Sequence, residues 1–569
     1  MLSHTIVFVV TVSLVIVQSV ESHIIYVPDD FNEAQEALNI SLSGDTVILR
    51  AGRYTAPIII PAHELTVGSE FILTQDESFI SNCVVAPEPN QPMVRCIDTE
   101  AAGRVTLNLI GVTIQQAFMS SGDGGGIRLR NRKALISNCV FKNCAAINGG
   151  TIFADSSSLS LIRTSMSGSD ALDRGRCIYA RTSKVDVNDC DLHSSSALMP
   201  TMGWQSEIEL VNSPLHVVSS RLENLGNAAD RRTTIVSLSA NSVCDSVTFF
   251  GCTIADNSLA YFAYSGNSSR SGMRTFILDS CYVLNNALAF GFFADWQLDS
   301  LSCVVITRNW FEDNHRPGPN YNGAGLFTFS APQVSAIVEE NHFLANDGGG
   351  FSCILAEGNR EPAIYRVHRN YFSGNSNFGF SSPPGGAAYL LSLSAGVLEY
   401  NSFDGNIGHS VDTGESGTES YALHNFWGDS TGPYVAEEHP QGLGDTTDTE
   451  TIYDEWLEGE DEIPDTTLFP LSYSLEDRKR IMASSWIIRS VFPNPFNSTI
   501  SISLDVPLHQ DMTIILYDLL GREVDVIHRG RLQNTVLSYS TPPNLSSGIY
   551  FVSATSATRA EMRKIILLK

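Results

Sequence analysis

The sequence predicts an all-β chain: a long parallel β-helix, a solenoid of stacked coils, followed by a small antiparallel β-sandwich. Three observations carry this reading. Apolar anchors recur at near-regular intervals through the middle of the chain, cysteine and then asparagine recur at fixed offsets from them, and from about Ile487 the texture changes to alternating strands separated by turn residues. A repeat period of about 20–50 residues marks a solenoid or a similar array.

The anchors are Ile114, Phe141, Met166, Leu192, Leu222, Ile254, Val283, Phe311, Phe343, Phe372 and Phe403, with successive spacings of 27, 25, 26, 30, 32, 29, 28, 32, 29 and 31 residues. Trp427 continues the series after a further 24 residues, giving about twelve coils. Five residues before the anchors lies a second apolar column that includes Ile136, Val187, Phe249, Leu278, Ile306, Val338, Val367 and Leu398. Two residues before them stand Cys139, Cys190, Cys252 and Cys281, then Asn309, Asn341, Asn370 and Asn401. Three residues after them stand Asn257, Asn286, Asn314, Asn346, Asn375 and Asn406. Asparagine accepts the left-handed conformation of a sharp bend, and its amide donates and accepts at once, so stacked copies are expected to bond from coil to coil. The eleven cysteines, none beyond Cys353, read mainly as small buried groups in such columns.

Composition sets further bounds. Hydrophobic residues are 43% and charged residues 17% of 569, with 43 Gly and 23 Pro, a balance that suits strands and turns better than helices. A net charge of −27 without a basic patch argues against nucleic acid or anionic membrane as a partner. The apolar run from Ile6 to Val17 is too short for a membrane span, which needs about 20 residues. It reads as a cleaved secretory leader over 1–22, leaving no membrane span afterwards.

The coil pattern resembles the pectin-lyase-like, right-handed, single-stranded parallel β-helix proteins, with their internal stacks and asparagine ladders. The opening IIYVPDDFNEAQEALNISLSGDTVILRAGRYTAPIII is similar to their N-terminal cap, with an amphipathic helix around Phe31 to Leu38 before a strand over Thr46 to Leu49. HNFWGDSTGPY, from His424 to Tyr434, resembles a segment near the end of many secreted members. These features place the helix and its cap at 23–435. Between Ala436 and Thr467 there are twelve acidic residues and no Lys or Arg, so 436–486 reads as an acidic linker or a loop covering the last coil. The tail at 487–569 resembles the C-terminal sorting domain of type IX secretion substrates. The matching residues are Pro493-Asn494-Pro495, the Tyr517 to Arg522 turn, Gly548-Ile549-Tyr550 and the Lys564 to Lys569 end. That resemblance implies type IX secretion machinery as a partner through 487–569, and a place outside or on the outer-membrane surface of a Gram-negative bacterium.

Fold alone does not assign chemistry. The residues that polygalacturonase-type and calcium-dependent pectate lyase members carry are missing, so no catalytic residue is assigned. Four residues before the anchors run Asp279, Thr307, Glu339, His368 and Glu399, with Arg308, Glu340 and Arg369 at minus three and Trp310, His342 and Tyr371 at minus one. Together they predict a polar and aromatic strip on one outer face. Arg308, Trp310, Glu340, Arg369 and Tyr371 are candidate polysaccharide ligands. Glu339, His368 and Glu399 are the candidates if the chain is a lyase or hydrolase: Glu339 and Glu399 would stand two coils, roughly 9.6 Å, apart, near the about 6.5–9.5 Å used by inverting glycosidases. The plain alternative is a cross-coil charge ladder on a spacer or adhesin stalk. No cofactor or metal is expected, since His315, His342, His368 and His424 fall at four different repeat positions and the runs from Asp123 to Gly126 and Asp347 to Gly350 open no helix.

Overall fold

The computed structural model describes residues 22–464 and 487–567. Excepted are 90–92, 101–102, 194–204, 226–232, 240–241, 266–271, 290, 293–301, 316–327, 330–333, 347–350, 355–363, 377–384, 392–394, 413–419 and 454, and, in the tail, 493, 495, 506–509, 518–521, 533–534, 543–544 and 556–559. The expected leader, but for its last residue, and the run Asp347 to Gly350 lie outside the described residues. The chain divides into two compact units, Met1–Ile463 and Pro464–Lys569.

The first unit is a parallel solenoid. One side is a sixteen-stranded sheet from Ile24–Val27 to Thr451–Ile452, a second is a thirteen-stranded sheet from Gly52–Thr55 to Ser402–Asp404, and a third is a nine-stranded sheet from Ile58–Ile60 to Ala287–Ala289. Every anchor pairs in register with the next, for example Ile254 with Val283, Phe311 with Phe343 and Phe372 with Phe403. The column begins two coils earlier than the sequence repeat showed, because Tyr54 pairs with Val85 and Val85 with Ile114. Phe311, Phe343, Phe372, Phe403 and Trp427 stack face to face, with centroids 4.8, 4.8, 5.2 and 5.0 Å apart, and all five are buried. Each such ring contributes about 1.5–3 kcal/mol by burial.

A short helix, Ala34–Ile40, closes the first coil, burying Ala34, Ala37 and Leu38 against the core, and the strand Thr46–Leu49 follows it. It covers a terminus that would otherwise expose unpaired edges.

Both asparagine columns form ladders. Asn341 Oδ1 accepts from the Asn309 backbone N–H and Nδ2, each at 2.9 Å, while its own Nδ2 donates to Ile306 O at 2.8 Å and Asn370 Oδ1 at 2.9 Å. The other column repeats the scheme from Asn257 to Asn406. One expectation is corrected: the ladder asparagines do not themselves take the left-handed conformation. The residue before each does, with φ of 56° at Arg308, 57° at Glu340, 52° at Arg369, 50° at Ala345 and 63° at Gly374. The corner is turned one residue early so that the asparagine side chain points into the stack, where its bonds run along the axis.

Among the described residues nine buried cysteines stand as thiols. In the minus-two column Thr164 and Ser220 fill the coils between Cys139, Cys190 and Cys252, each donating to the carbonyl two residues earlier and accepting from the backbone N–H of the preceding coil. Gly124 has φ of +67°, and a Cβ on Gly125 would stand 2.5 Å from the Ala145 carbonyl, so close turns entering the strand Ile127–Arg130 account for that glycine run.

Residues beyond 435 add strands to the solenoid: Gly444–Thr447 pairs with His409–Asp412, and Thr451–Ile452 with Ser420–Leu423. The second unit is antiparallel, a three-stranded sheet (Ile487–Phe492, Thr499–Asp505, Thr535–Ser540) and a four-stranded one (Gln510–Tyr517, Glu523–Leu532, Gly548–Thr555, Ala560–Leu567). The two sheets share one core, including Ile488, Ile502, Ile514, Val552 and Ile565. This alternation of buried and exposed positions matches a sandwich.

Candidate functional site

The proposed strip lies at the corner where the sixteen-stranded sheet turns into the thirteen-stranded one. Register places Thr307 beside Glu339, Glu339 beside His368, and His368 beside Glu399 on successive coils. This column is more enclosed than an open face. Asp279, Glu339 and His368 are 3%, 8% and 1% exposed.

Charges there are matched coil by coil. Asp279 takes a bidentate pair of bonds from Arg308 Nε and Nη2, and a third from Thr307 Oγ1 at 3.1 Å. Arg369 Nη2 bridges the carboxylates of Glu339 and Glu340. Burial alone would raise the Glu339 pKa, but the hydrogen bond from His368 and the nearby Arg369 and His368 charges outweigh it and hold the group below its ordinary range. His368 Nδ1 stands 3.5 Å from Glu339 Oε1, and its ring meets Tyr400 edge-on at 5.4 Å. In register the imidazole occupies the coil between Glu339 and Glu399, the position that a sugar or water shared by the two carboxylates would need. Tyr400 continues to His424, stacked at 5.2 Å, and His424 Nε2 reaches Glu455 at 3.0 Å.

Across the ladder turn, on the outward side of the thirteen-stranded sheet, Trp310, His342 and Tyr371 stand one above another in register. Tyr282 precedes them in the same column and is 57% exposed. Trp310 and His342 stack at 4.6 Å, and His342 meets Tyr371 at 5.8 Å with the planes tilted by 55°. Burial among these rings lowers the His342 pKa and so favours the neutral imidazole, while Glu460 opposes the shift. Trp310 Nε1 donates to Glu312 at 2.8 Å.

Sequence reasoning passed over Tyr282, although it sits at minus one like its neighbours. It also passed over the outward face of the nine-stranded sheet, where Asp98, Arg128, Phe153, Tyr179 and Glu209 pair in register. Phe153 and Tyr179 stack at 5.3 Å, Arg181 lies over Phe153, and Asp98 binds Arg128 and Arg95. The signal was available, since Ile127, Ile152, Ile178 and Ile208, fourteen residues before four anchors, repeat the anchor spacing and each precedes one of these residues.

Among the described residues no group of three or more His, Cys, Asp or Glu is placed to hold a metal, and no helix is long and apolar enough to cross a membrane.

A parallel β-helix with ladder-bonded corners, followed by a separate antiparallel module, defines a solenoid protein with a C-terminal module of its own. The module is a type IX sorting domain: residues 490–568 match the family of secretion system C-terminal sorting domains. The chain therefore interacts with the type IX machinery through this domain and is secreted or displayed at the cell surface. No curated protein matches the chain. A solved structure, the Siphovirus 9NA tailspike receptor binding domain, aligns at 8% identity over 95% of this chain and 98% of its own, with a TM-score of 0.25. That score bears on neither fold nor function.

Proposed function

We propose that this is a non-catalytic surface or released protein of a Gram-negative bacterium, exported by a cleaved leader and the type IX tail, that binds polysaccharide along Tyr282, Trp310, His342 and Tyr371. The observation that carries the reading is the in-register ribbon of rings left part-exposed beside a fully buried anchor column. The coil step of about 4.8 Å is comparable to the length of a pyranose, so successive sugars meet successive coils. Trp310 and His342 cover each other's faces and offer edges, whereas the tilt leaves Tyr371 part of a face. Glu312 and Glu340 flank the ribbon and the protein carries a net charge of −27, so a neutral polysaccharide fits better than a polyuronate.

The test is binding of the full chain to a panel of neutral and acidic polysaccharides, followed by the Trp310→Ala, Tyr371→Ala double variant. A loss of at least about tenfold, equivalent to about 1.4 kcal/mol, is expected; unchanged binding removes this face. Analysis of the same incubations for new reducing ends or unsaturated products separates binding from turnover. Products that disappear in the Glu339→Gln and Glu399→Gln variants would establish the enzymatic alternative in that column.

A further inference from the structure

We propose that Cys252 and Cys281, which stand in the structure as thiols bonded to Phe250 O and Asp279 O at 3.4 and 3.3 Å, form a cross-coil disulfide in the exported protein, oxidised before the coils close over it. The two residues occupy the same repeat position on consecutive coils. Phe250 pairs with Asp279 and Thr253 with Tyr282, both at an offset of 29 residues, so Cys252 stands directly above Cys281. The Cys252 backbone N–H donates to Cys281 Sγ at 3.4 Å. Stacked strands are about 4.7–4.9 Å apart, within the Cα separation of about 4.4–6.8 Å that a disulfide spans, and the two side chains have to lean toward each other to bring their Cβ atoms to the about 3.5–4.5 Å that it also needs. Elsewhere in this column the cysteines are separated by coils carrying Thr164 and Ser220. Among the described residues, then, this is the one place where the column sets thiol on thiol.

The pair sits where the column changes from cysteine to asparagine. From Asn309 onward each side chain bonds to the next across the coil step, Asn309 Nδ2 to Asn341 Oδ1 at 2.9 Å being the first such link. A thiol pair cannot reproduce that amide link. A disulfide supplies a covalent equivalent one coil earlier, closing a loop of 28 intervening residues. Both residues are at most 1% exposed, and burial pushes the Cys281 thiol well above its ordinary pKa, so the closed solenoid resists attack by an oxidant. Oxidation therefore precedes closure.

An exported chain meets a disulfide-forming compartment. One cysteine, as thiolate, attacks the disulfide of a thiol–disulfide oxidoreductase, giving a mixed disulfide. The second then displaces the enzyme's sulfur; the two thiols lose two protons, and two electrons reduce the enzyme's disulfide to a dithiol.

The measurement is a thiol count on the full-length chain isolated after export, unfolded in denaturant with an alkylating agent and no reductant, then digested for mass spectrometry. Nine of the eleven cysteines should be alkylated, with one linked peptide pair containing Cys252 and Cys281. The same chain made without its leader in the reducing cytoplasm should show all eleven alkylated, and reduction before alkylation should release the linked pair. Eleven alkylated cysteines in exported protein overturn the proposal, as does a linkage of either residue to another partner. Because this readout uses the unmodified chain, it does not depend on a cysteine variant folding.

Discussion

At each corner a left-handed residue and a ladder asparagine divide the work, and their failures differ. Removing the Asn341 side chain takes the acceptor from the Asn309 backbone N–H, the Asn341 amide donor from the Ile306 carbonyl, and one of two partners each from Asn309 Nδ2 and Asn370 Oδ1, all in a buried stack. Asn341→Ala should lower stability by about 1–3 kcal/mol, read as a drop in urea midpoint with unchanged slope. Ala345 presents the opposite case. It holds φ of 50°, strained for a residue with a Cβ, where the next coils carry Gly374 and Gly405. Ala345→Gly should therefore raise the midpoint by about 1 kcal/mol, relief of left-handed strain outweighing the added chain entropy; a fall in stability would refute that account of the corner. Glu339 adds a pH dependence. Its folded pKa lies below the ordinary 4.5, so its contribution is present above that value and lost as pH falls through the folded pKa. Relative to Glu339→Gln, the native chain should lose stability on acidification below about pH 4.5, and parallel midpoint-versus-pH curves for the two proteins would sink the assignment.

At the scale of the element, a ladder has a direction. Each Asn Nδ2 points to the Oδ1 of the following coil, so the last asparagine presents unmet donors to whatever comes next. At Asn406 an acid meets them: Asp445 accepts from the Asn406 N–H and Nδ2 at 3.1 and 2.8 Å, from Gly405 N–H at 2.9 Å and from Ser410 Oγ at 2.7 Å. Asp445→Ala should fray this end, accelerating amide exchange at Gly405 and Asn406 while the ladder near Asn286 keeps its protection; equal protection at both ends would count against a capping role. The ladder columns were legible in the sequence because parallel stacking repeats one environment every coil, and position in the repeat then stands for position in space. Asp445 was not, since it lies 42 residues after Phe403, past the segment from Gly428 to Leu443 that breaks the period. For the same reason an acidic run suggesting a solvated linker gave no hint that one of its members ends an internal ladder. The corner strip was legible as positions but not as contacts: offsets place Glu339, His368 and Arg369 together, whereas the arginine bridge and the degree of enclosure depend on side-chain direction.

For the whole molecule, charge is divided unevenly between the units. Residues 464–569 hold eleven Lys and Arg against nine Asp and Glu, so the acidic excess belongs wholly to residues 1–463. Stacked coils repeat every 4.8 Å or so, which sets like charges in neighbouring coils within one Debye length of each other, about 30 Å at 0.01 M salt and about 8 Å at 0.15 M. Self-repulsion then opposes the closed solenoid, and salt should relieve it. Pairs such as Arg369 with Glu339 pull the other way, because salt weakens attraction as well. They are largely enclosed, with side-chain exposures of 9% and 10%, and enclosed pairs are screened far less than exposed charges. The repulsive term should dominate the salt response. Calorimetry of the full chain should resolve a solenoid transition that moves to higher temperature between 0.01 and 0.15 M NaCl, while the near-neutral sorting domain melts at almost the same temperature in both. A solenoid transition that stays fixed or falls would mean that local ion pairs, not net charge, set its electrostatics.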